Sequence, residues 1–92
     1  MRSKIAVMNT RRMDTRHWWN GRWSRLTRRE IYVFGDGGQW RVELIRGGEG
    51  GRSRTRAFGT EGDAVAWVEE ALLKVDDGWR EVLTQRARLR AV

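Results

Sequence analysis

Four consecutive segments in the middle of the chain have the pattern of a small sheet followed by a helix. Ile31–Phe34, Gln39–Arg46 and Arg52–Phe58 contain β-branched, aromatic or alternating residues, and glycine-rich loops separate them. Thr60–Val75 follows, with apolar residues at helical spacing. The pattern predicts an α+β fold in which a three-stranded antiparallel β-sheet packs on one long α-helix.

Turn and capping residues support these element boundaries. Asp36 and Gly37 form a dipeptide typical of a hairpin turn. Thr60 is a favourable helix N-cap, and the acids Glu61 and Asp63 suit the positive end of the helix dipole. A short C-terminal helix is predicted beyond the long one, from the spacing of Trp79, Val82, Leu83 and Arg86.

The excess positive charge lies in the first third of the chain. Residues 1–30 carry nine Lys and Arg and two acids, whereas residues 31–92 carry ten of each. The sequence therefore predicts a basic, Trp-rich, partly flexible arm over residues 1–26 and a single β-β-β-α-α domain over residues 27–92. Trp18, Trp19 and Trp23 are expected to dock on that domain, because exposed apolar patches are rare on small proteins. A solvated leader without a binding role is the alternative.

Composition argues against an enzyme, a cofactor or a metal site. The chain has no cysteine, which excludes disulfides and thiolate zinc ligands, and it has one histidine, His17. No Ser-His-Asp set or metal-ligand spacing can be built around this histidine. The apolar run Ile5–Met8 is too short for a membrane span, so we expect a cytoplasmic protein with no membrane partner.

The third predicted strand alternates arginines with small residues, in the order Arg52, Ser53, Arg54, Thr55, Arg56 and Ala57. If the small residues pack under the helix, the arginines project from the uncovered sheet face. Such a face can enter the major groove of DNA as a β-ribbon. The predicted DNA-binding residues are Arg22 and Arg25 in the arm, and Tyr32, Arg41, Arg52, Arg54 and Arg56 on the sheet.

This orientation depends on Phe58, which has the same parity as the arginines. We expect the strand to end or bulge near Ala57, so that Phe58 turns into the core. Without such a break the arginines would face the helix, and a protein partner would become the better hypothesis than DNA.

Several of these positions resemble a known DNA-binding family. Gln39–Val42, Arg52–Arg56, Phe58, Thr60, Ala64 and Trp67 resemble the arm-type DNA-binding domain at the N-terminus of tyrosine-family phage integrases. The plant ethylene-response-factor domain is similar in architecture. In both families three strands pack on one helix, and the uncovered sheet face enters the major groove. The resemblance implies the same arrangement for this chain. It covers residues 31–75 and implies DNA contacts at Arg41, Arg52, Arg54 and Arg56, without recombinase activity.

The sequence thus predicts a small non-enzymatic protein of a phage or mobile element that binds double-stranded DNA. The alternative is a protein–protein interaction module that binds a host protein, because Trp and Arg are also enriched at protein interfaces. In that case the open sheet face or the Trp cluster would form the contact. A homodimer through an open strand edge belongs to the same alternative.

Overall fold

The computed structural model describes residues 12–48 and 50–84, which form an α+β fold. In this part of the chain one antiparallel sheet of five strands carries one helix on one of its faces. The order across the sheet is β4-β3-β2-β1-β5, so β4 and β5 are its edges. The elements are β1 Arg12–Trp19, β2 Arg29–Asp36, β3 Gln39–Arg46, β4 Arg52–Phe58, α1 Glu61–Lys74 and β5 Arg80–Val82.

The predicted three strands are β2, β3 and β4, and they form one side of the sheet in the expected antiparallel order. β3 and β4 have the predicted bounds, whereas β2 extends beyond Ile31–Phe34 at both ends. The predicted total of three strands is wrong, because two segments outside this unit, β1 and β5, join the same sheet.

β1 comes from the segment predicted to be an arm. It pairs antiparallel with β2 over almost its whole length, with one irregularity between Asp14 and Arg16. Trp18 lies opposite Ile31 and is only 5 % exposed, which confirms docking for this tryptophan. Trp19 is half-buried, and Trp23 is 76 % exposed. Residues 12–19 are therefore part of the domain, and residues 1–11 of the predicted arm lie outside the described residues.

The prediction of a second helix is wrong over the described part of that segment. Arg80–Val82 forms a short strand that pairs antiparallel with β1. An ion pair between Arg16 of β1 and Glu81 of β5 reinforces the pairing. Apolar spacing over so few residues fits a strand as well as a helix, and β1 provides an edge for pairing. Arg86 lies outside the described residues.

α1 packs against β2, β3 and β4. Its capping residues, Thr60 and Val75, are the two ends of the predicted helical segment. The Thr60 hydroxyl caps the helix by accepting a hydrogen bond from the Asp63 backbone N–H at 3.1 Å. The core between the helix and the sheet is formed by apolar side chains. They lie along one side of the helix and at alternate positions of the strands. The fully buried or nearly buried members are Trp18, Ile31, Val33, Val42, Ala64 and Val68.

Glycine determines the register of the β2–β3 hairpin. Asp36 pairs with Gln39, so Gly37 and Gly38 alone form the turn. Their φ values of 60° and 93° lie in the left-handed region that glycine adopts without strain. This short turn confirms the predicted hairpin and fixes which residues of β2 and β3 face each other.

Candidate nucleic-acid interface

The pairing of β3 with β4 places the strand arginines on the helix side of the sheet. Val42 is fully buried under α1, and it lies directly opposite Arg56. Paired residues of antiparallel strands project from the same face. The Arg56 guanidinium lies 5.7 Å from the ring centroid of Phe58 and 5.4 Å from that of Trp67 on α1. The other two strand arginines share this parity, so the prediction that they face away from the helix is wrong.

The cause lies at Phe58, where the expected break in the strand does not occur. The β3–β4 register runs without a shift from Arg46 opposite Arg52 to Trp40 opposite Phe58. Phe58 therefore packs against the helix as a regular member of β4, with its ring centroid 6.0 Å from that of Trp67. The arginines of the same parity share its side of the sheet. The small residues Ser53, Thr55 and Ala57 lie on the open face instead.

Four arginines gather at the end of the sheet where β3 leads into β4, and we call them the arginine cluster. Arg29, Arg46 and Arg52 are paired in a row across β2, β3 and β4. Arg54 follows on β4, and all four line one groove beside the helix. Directly opposed residues have Cβ atoms about 5 Å apart, so like charges in such a row destabilise the sheet.

Few carboxylates offset this repulsion. Arg29 Nη1 lies 3.9 Å from the Oδ2 atom of Asp77. Among the described residues, no carboxylate oxygen lies within 4 Å of Arg46, Arg52 or Arg54, and all three side chains are exposed. An external anion would relieve the repulsion, because guanidinium groups bind phosphate and carboxylate through paired hydrogen bonds.

The loop between β1 and β2 lies against the same end of the sheet. The Gly47 backbone N–H donates to the Arg28 carbonyl oxygen at 2.9 Å, which joins this loop to the β3–β4 loop. Arg22 and Arg25, two of the predicted site residues, are exposed on it. Arg22 Nε lies 3.4 Å from Asp77. The structure thus brings the predicted loop arginines and two of the predicted strand arginines to one end of the molecule.

The uncovered sheet face carries charges of both signs. Arg41, a predicted DNA-binding residue, lies on this face with its Nε atom 3.8 Å from Asp36. Arg12 of β1 reaches across the face and donates to Glu43 at 2.8 Å. The face therefore lacks the continuous positive charge expected of a major-groove surface.

Tyr32 also lies on the uncovered face, inside a polar cluster. Its ring stacks on His17 with centroids 4.0 Å apart, and its hydroxyl donates to Glu30 at 3.4 Å. Burial and the neighbouring Glu30 carboxylate raise the pKa of Tyr32 to about 12, so the hydroxyl stays protonated. Because this hydroxyl already has a partner within the protein, Tyr32 is a poor candidate for a phosphate contact.

Replacing Glu30 should reveal a pH-dependent contribution to stability. Burial alone would raise the pKa of Glu30, but hydrogen bonds from Arg28 and His17 outweigh it and hold the pKa below its ordinary value. The ionised carboxylate therefore stabilises the fold at pH above the unfolded pKa, and this stabilisation is lost as pH falls through the folded pKa. We expect Glu30→Gln to lower the free energy of unfolding by about 1–3 kcal/mol at neutral pH.

Urea denaturation of the native chain and of Glu30→Gln checks this expectation, at about pH 7 and about pH 3. The difference between the two proteins should shrink at the acidic pH, because the stabilisation by the Glu30 charge decreases as the pH falls below the unfolded pKa. A difference that is equal at both pH values would show that the carboxylate charge does not stabilise the fold.

Arg46 is not among the DNA-binding residues predicted from the sequence, although the sequence contains a signal for it. The predicted strands Gln39–Arg46 and Arg52–Phe58 are separated by a five-residue loop, residues 47–51. Pairing the strand ends across this loop places Arg46 opposite Arg52, as the structure has it. The clustering of these arginines therefore becomes visible only when the two strands are paired, and not when each strand is considered alone.

Comparison of the chain with protein-family models, with curated proteins and with solved structures finds no match. The resemblance to integrase arm-type domains stays a prediction. Residues 12–48 and 50–84 contain no group of three or more His, Cys, Asp and Glu side chains placed to hold a metal ion. No helix in the described part of the chain is both long and apolar enough to cross a membrane.

Proposed function

We propose that this chain is a small non-enzymatic DNA-binding protein whose arginine cluster contacts the phosphate backbone. The observation that carries the proposal is the row of adjacent guanidinium groups, of which Arg46 and Arg52 have no carboxylate within 4 Å in the described residues. Arg22 and Arg25 on the neighbouring loop extend this surface. The unbroken strand at Phe58 removes the predicted contact through the open sheet face, and by itself it would favour a protein partner. DNA is kept as the partner because Arg46, Arg52 and Arg54 are exposed at the end of the sheet, and the contact moves there.

The charge distribution along the molecule supports this orientation. Opposite the arginine cluster, the other end of the sheet carries acids: Asp36 beside the β2–β3 turn, with Glu61 and Asp63 in the first turn of α1. Asp36 and Glu61 line one depression, which confirms that they lie near each other. The acids Glu30 and Asp77 at the arginine end are paired with Arg28, Arg22 and Arg29, so the exposed cluster arginines leave that end positive. A molecule with this polarity would approach a polyanion with its arginine end first.

A titration against duplex DNA at two salt concentrations tests the proposal. If about four arginines each neutralise one phosphate, the slope of log K against log salt should be about −3.6 or steeper. Fluorescence anisotropy with a labelled duplex at about 50 and about 200 mM salt measures this slope. No binding at the lower salt concentration would exclude the proposal, and tight binding with a flat slope would exclude phosphate contacts as its basis.

A protein-interaction module remains the second candidate, because one loop exposes apolar side chains. Trp23 is 76 % exposed and Leu26 is 94 % exposed on the β1–β2 loop. Trp beside Arg is a common composition for protein hot spots. On this hypothesis the duplex titration gives no binding. If the partner is a second copy, the elution volume in size-exclusion chromatography changes with protein concentration.

A further inference from the structure

The arginine cluster forms one wall of a groove whose other walls are mainly apolar. Two other polar residues, Ser53 and Glu30, also line it, and the Glu30 carboxylate is already paired with Arg28 and His17. The groove has a volume of about 810 Å³ and lies between the C-terminal half of α1 and the end of the sheet. Its apolar lining comes from strand and helix side chains and from Trp79, which follows the helix. These lining residues are Ile31, Leu44, Ile45, Ala71, Val75 and Trp79. A volume of this size falls within the range of about 300–1,000 Å³ found for small-molecule sites.

A ligand that fits this groove must be anionic on one side and apolar on another. The backbone of an intact duplex presents phosphates and sugars but keeps its bases stacked inside. An unpaired nucleotide presents a phosphate together with a base whose flat face is apolar. Proteins that bind single strands combine these two features, with a positively charged groove and aromatic side chains on which bases stack.

We propose that this groove binds unpaired nucleotides of a single-stranded nucleic acid. The phosphates lie on Arg46, Arg52 and Arg54, and a base packs against Trp79 and the apolar lining. This inference rests on the proposed function, because it uses the same arginines, and it adds that single strands bind more tightly than duplexes.

Trp79 is suited to act as the stacking surface. Its indole Nε1–H donates to the Val75 carbonyl oxygen at 3.1 Å, so its polar atom has a partner within the protein. The ring is half-buried and packs against the core while it lines the groove. A ring held in this way offers an apolar surface for a base, and its N–H group already has an acceptor. Because the ring is already fixed in the free protein, little conformational entropy is lost when a ligand binds.

The experiment compares two labelled probes against the native chain at the same salt concentration. The probes are an oligothymidylate of about 12 nucleotides and a duplex of the same length. The native chain should bind the oligothymidylate more tightly. Trp79→Leu should weaken this binding by about 5- to 150-fold, the effect of losing one base–aromatic stack, and leave duplex binding within about twofold. Trp79→Phe should keep most of the single-strand affinity, because a ring remains.

Trp67→Leu is the matched control, because Trp67 is also half-buried against the core but does not line this groove. It should leave both affinities unchanged. If Trp79→Leu does not fold, Arg54→Gln on the exposed edge strand replaces it and should weaken binding of the oligothymidylate. Equal or tighter binding of the duplex to the native chain overturns the inference and leaves the proposed function in place. Binding of neither probe overturns both the inference and the proposed function. Binding of an oligoglutamate in that case would assign the groove to an acidic peptide.

Discussion

Replacing Trp18 by alanine should lower the free energy of unfolding by about 3–5 kcal/mol, the usual cost of truncating a buried tryptophan. Trp18 is 5 % exposed, lies opposite Ile31 of β2, and belongs to the core that α1 covers. It also lies opposite Glu81 of β5, so its loss would weaken both neighbours of β1. For a domain of this size, whose total stability is about 5–15 kcal/mol, this is a large share. Urea denaturation followed by circular dichroism measures it.

Trp23→Ala provides the control for this measurement. Trp23 is the same residue type, five positions further along the chain, but it is 76 % exposed. Its replacement should change the free energy of unfolding by less than about 1 kcal/mol. Equally small effects of both substitutions would contradict the structure, because they would mean that Arg12–Trp19 is a detachable arm and not a strand of the sheet.

The central elements could be predicted from the sequence because each has a strong local signal. Trp40, Val42 and Leu44 alternate with polar residues along β3, which is the pattern of a strand covered on one face. α1 has a capping threonine and a clear apolar stripe. These signals need no knowledge of the strand's neighbours, and the bounds of β3 and β4 were correct.

β1 lacks such a signal, for reasons that the structure makes clear. On the helix side of β1, Arg16 lies opposite the buried Val33 and pairs with Glu81 of β5, so a charged residue occupies a position where a pattern search expects an apolar one. Thr15 lies at the irregularity between Asp14 and Arg16, which interrupts the period of two. β5 has three residues, too few for any periodicity, and it forms because β1 provides an edge for it.

The choice of face for the arginines depends on strand register, which the sequence specifies weakly. The five-residue loop pairs Leu44 with Arg54 and so places the arginines on the helix side. A loop that paired the strands one residue out of register would move every side chain to the opposite face. The register of the β2–β3 hairpin is just as decisive, since the Gly37–Gly38 turn brings Arg29 opposite Arg46. The arginine cluster therefore results from two loop lengths and three strands together.

Two double variants test most directly whether DNA binds at the arginine cluster and not on the open sheet face. Arg46→Gln with Arg52→Gln removes two charges from the cluster, on β3 and β4. Arg41→Gln with Arg56→Gln removes two charges from the same two strands near their other end. The net charge falls equally in both proteins, so any difference in DNA affinity shows which end of the strands contacts the DNA. Circular dichroism should show that both retain the native fold.

Anisotropy titrations with duplex DNA at two salt concentrations give the decisive comparison. The Arg46/Arg52 variant should lose at least about tenfold in affinity at low salt, and its salt slope should become shallower by about 1.8, which corresponds to two lost phosphate contacts. The Arg41/Arg56 variant should stay within about threefold of the native affinity, with a nearly unchanged slope. Equal losses in the two proteins, or a larger loss in the Arg41/Arg56 variant, would contradict binding at the arginine cluster.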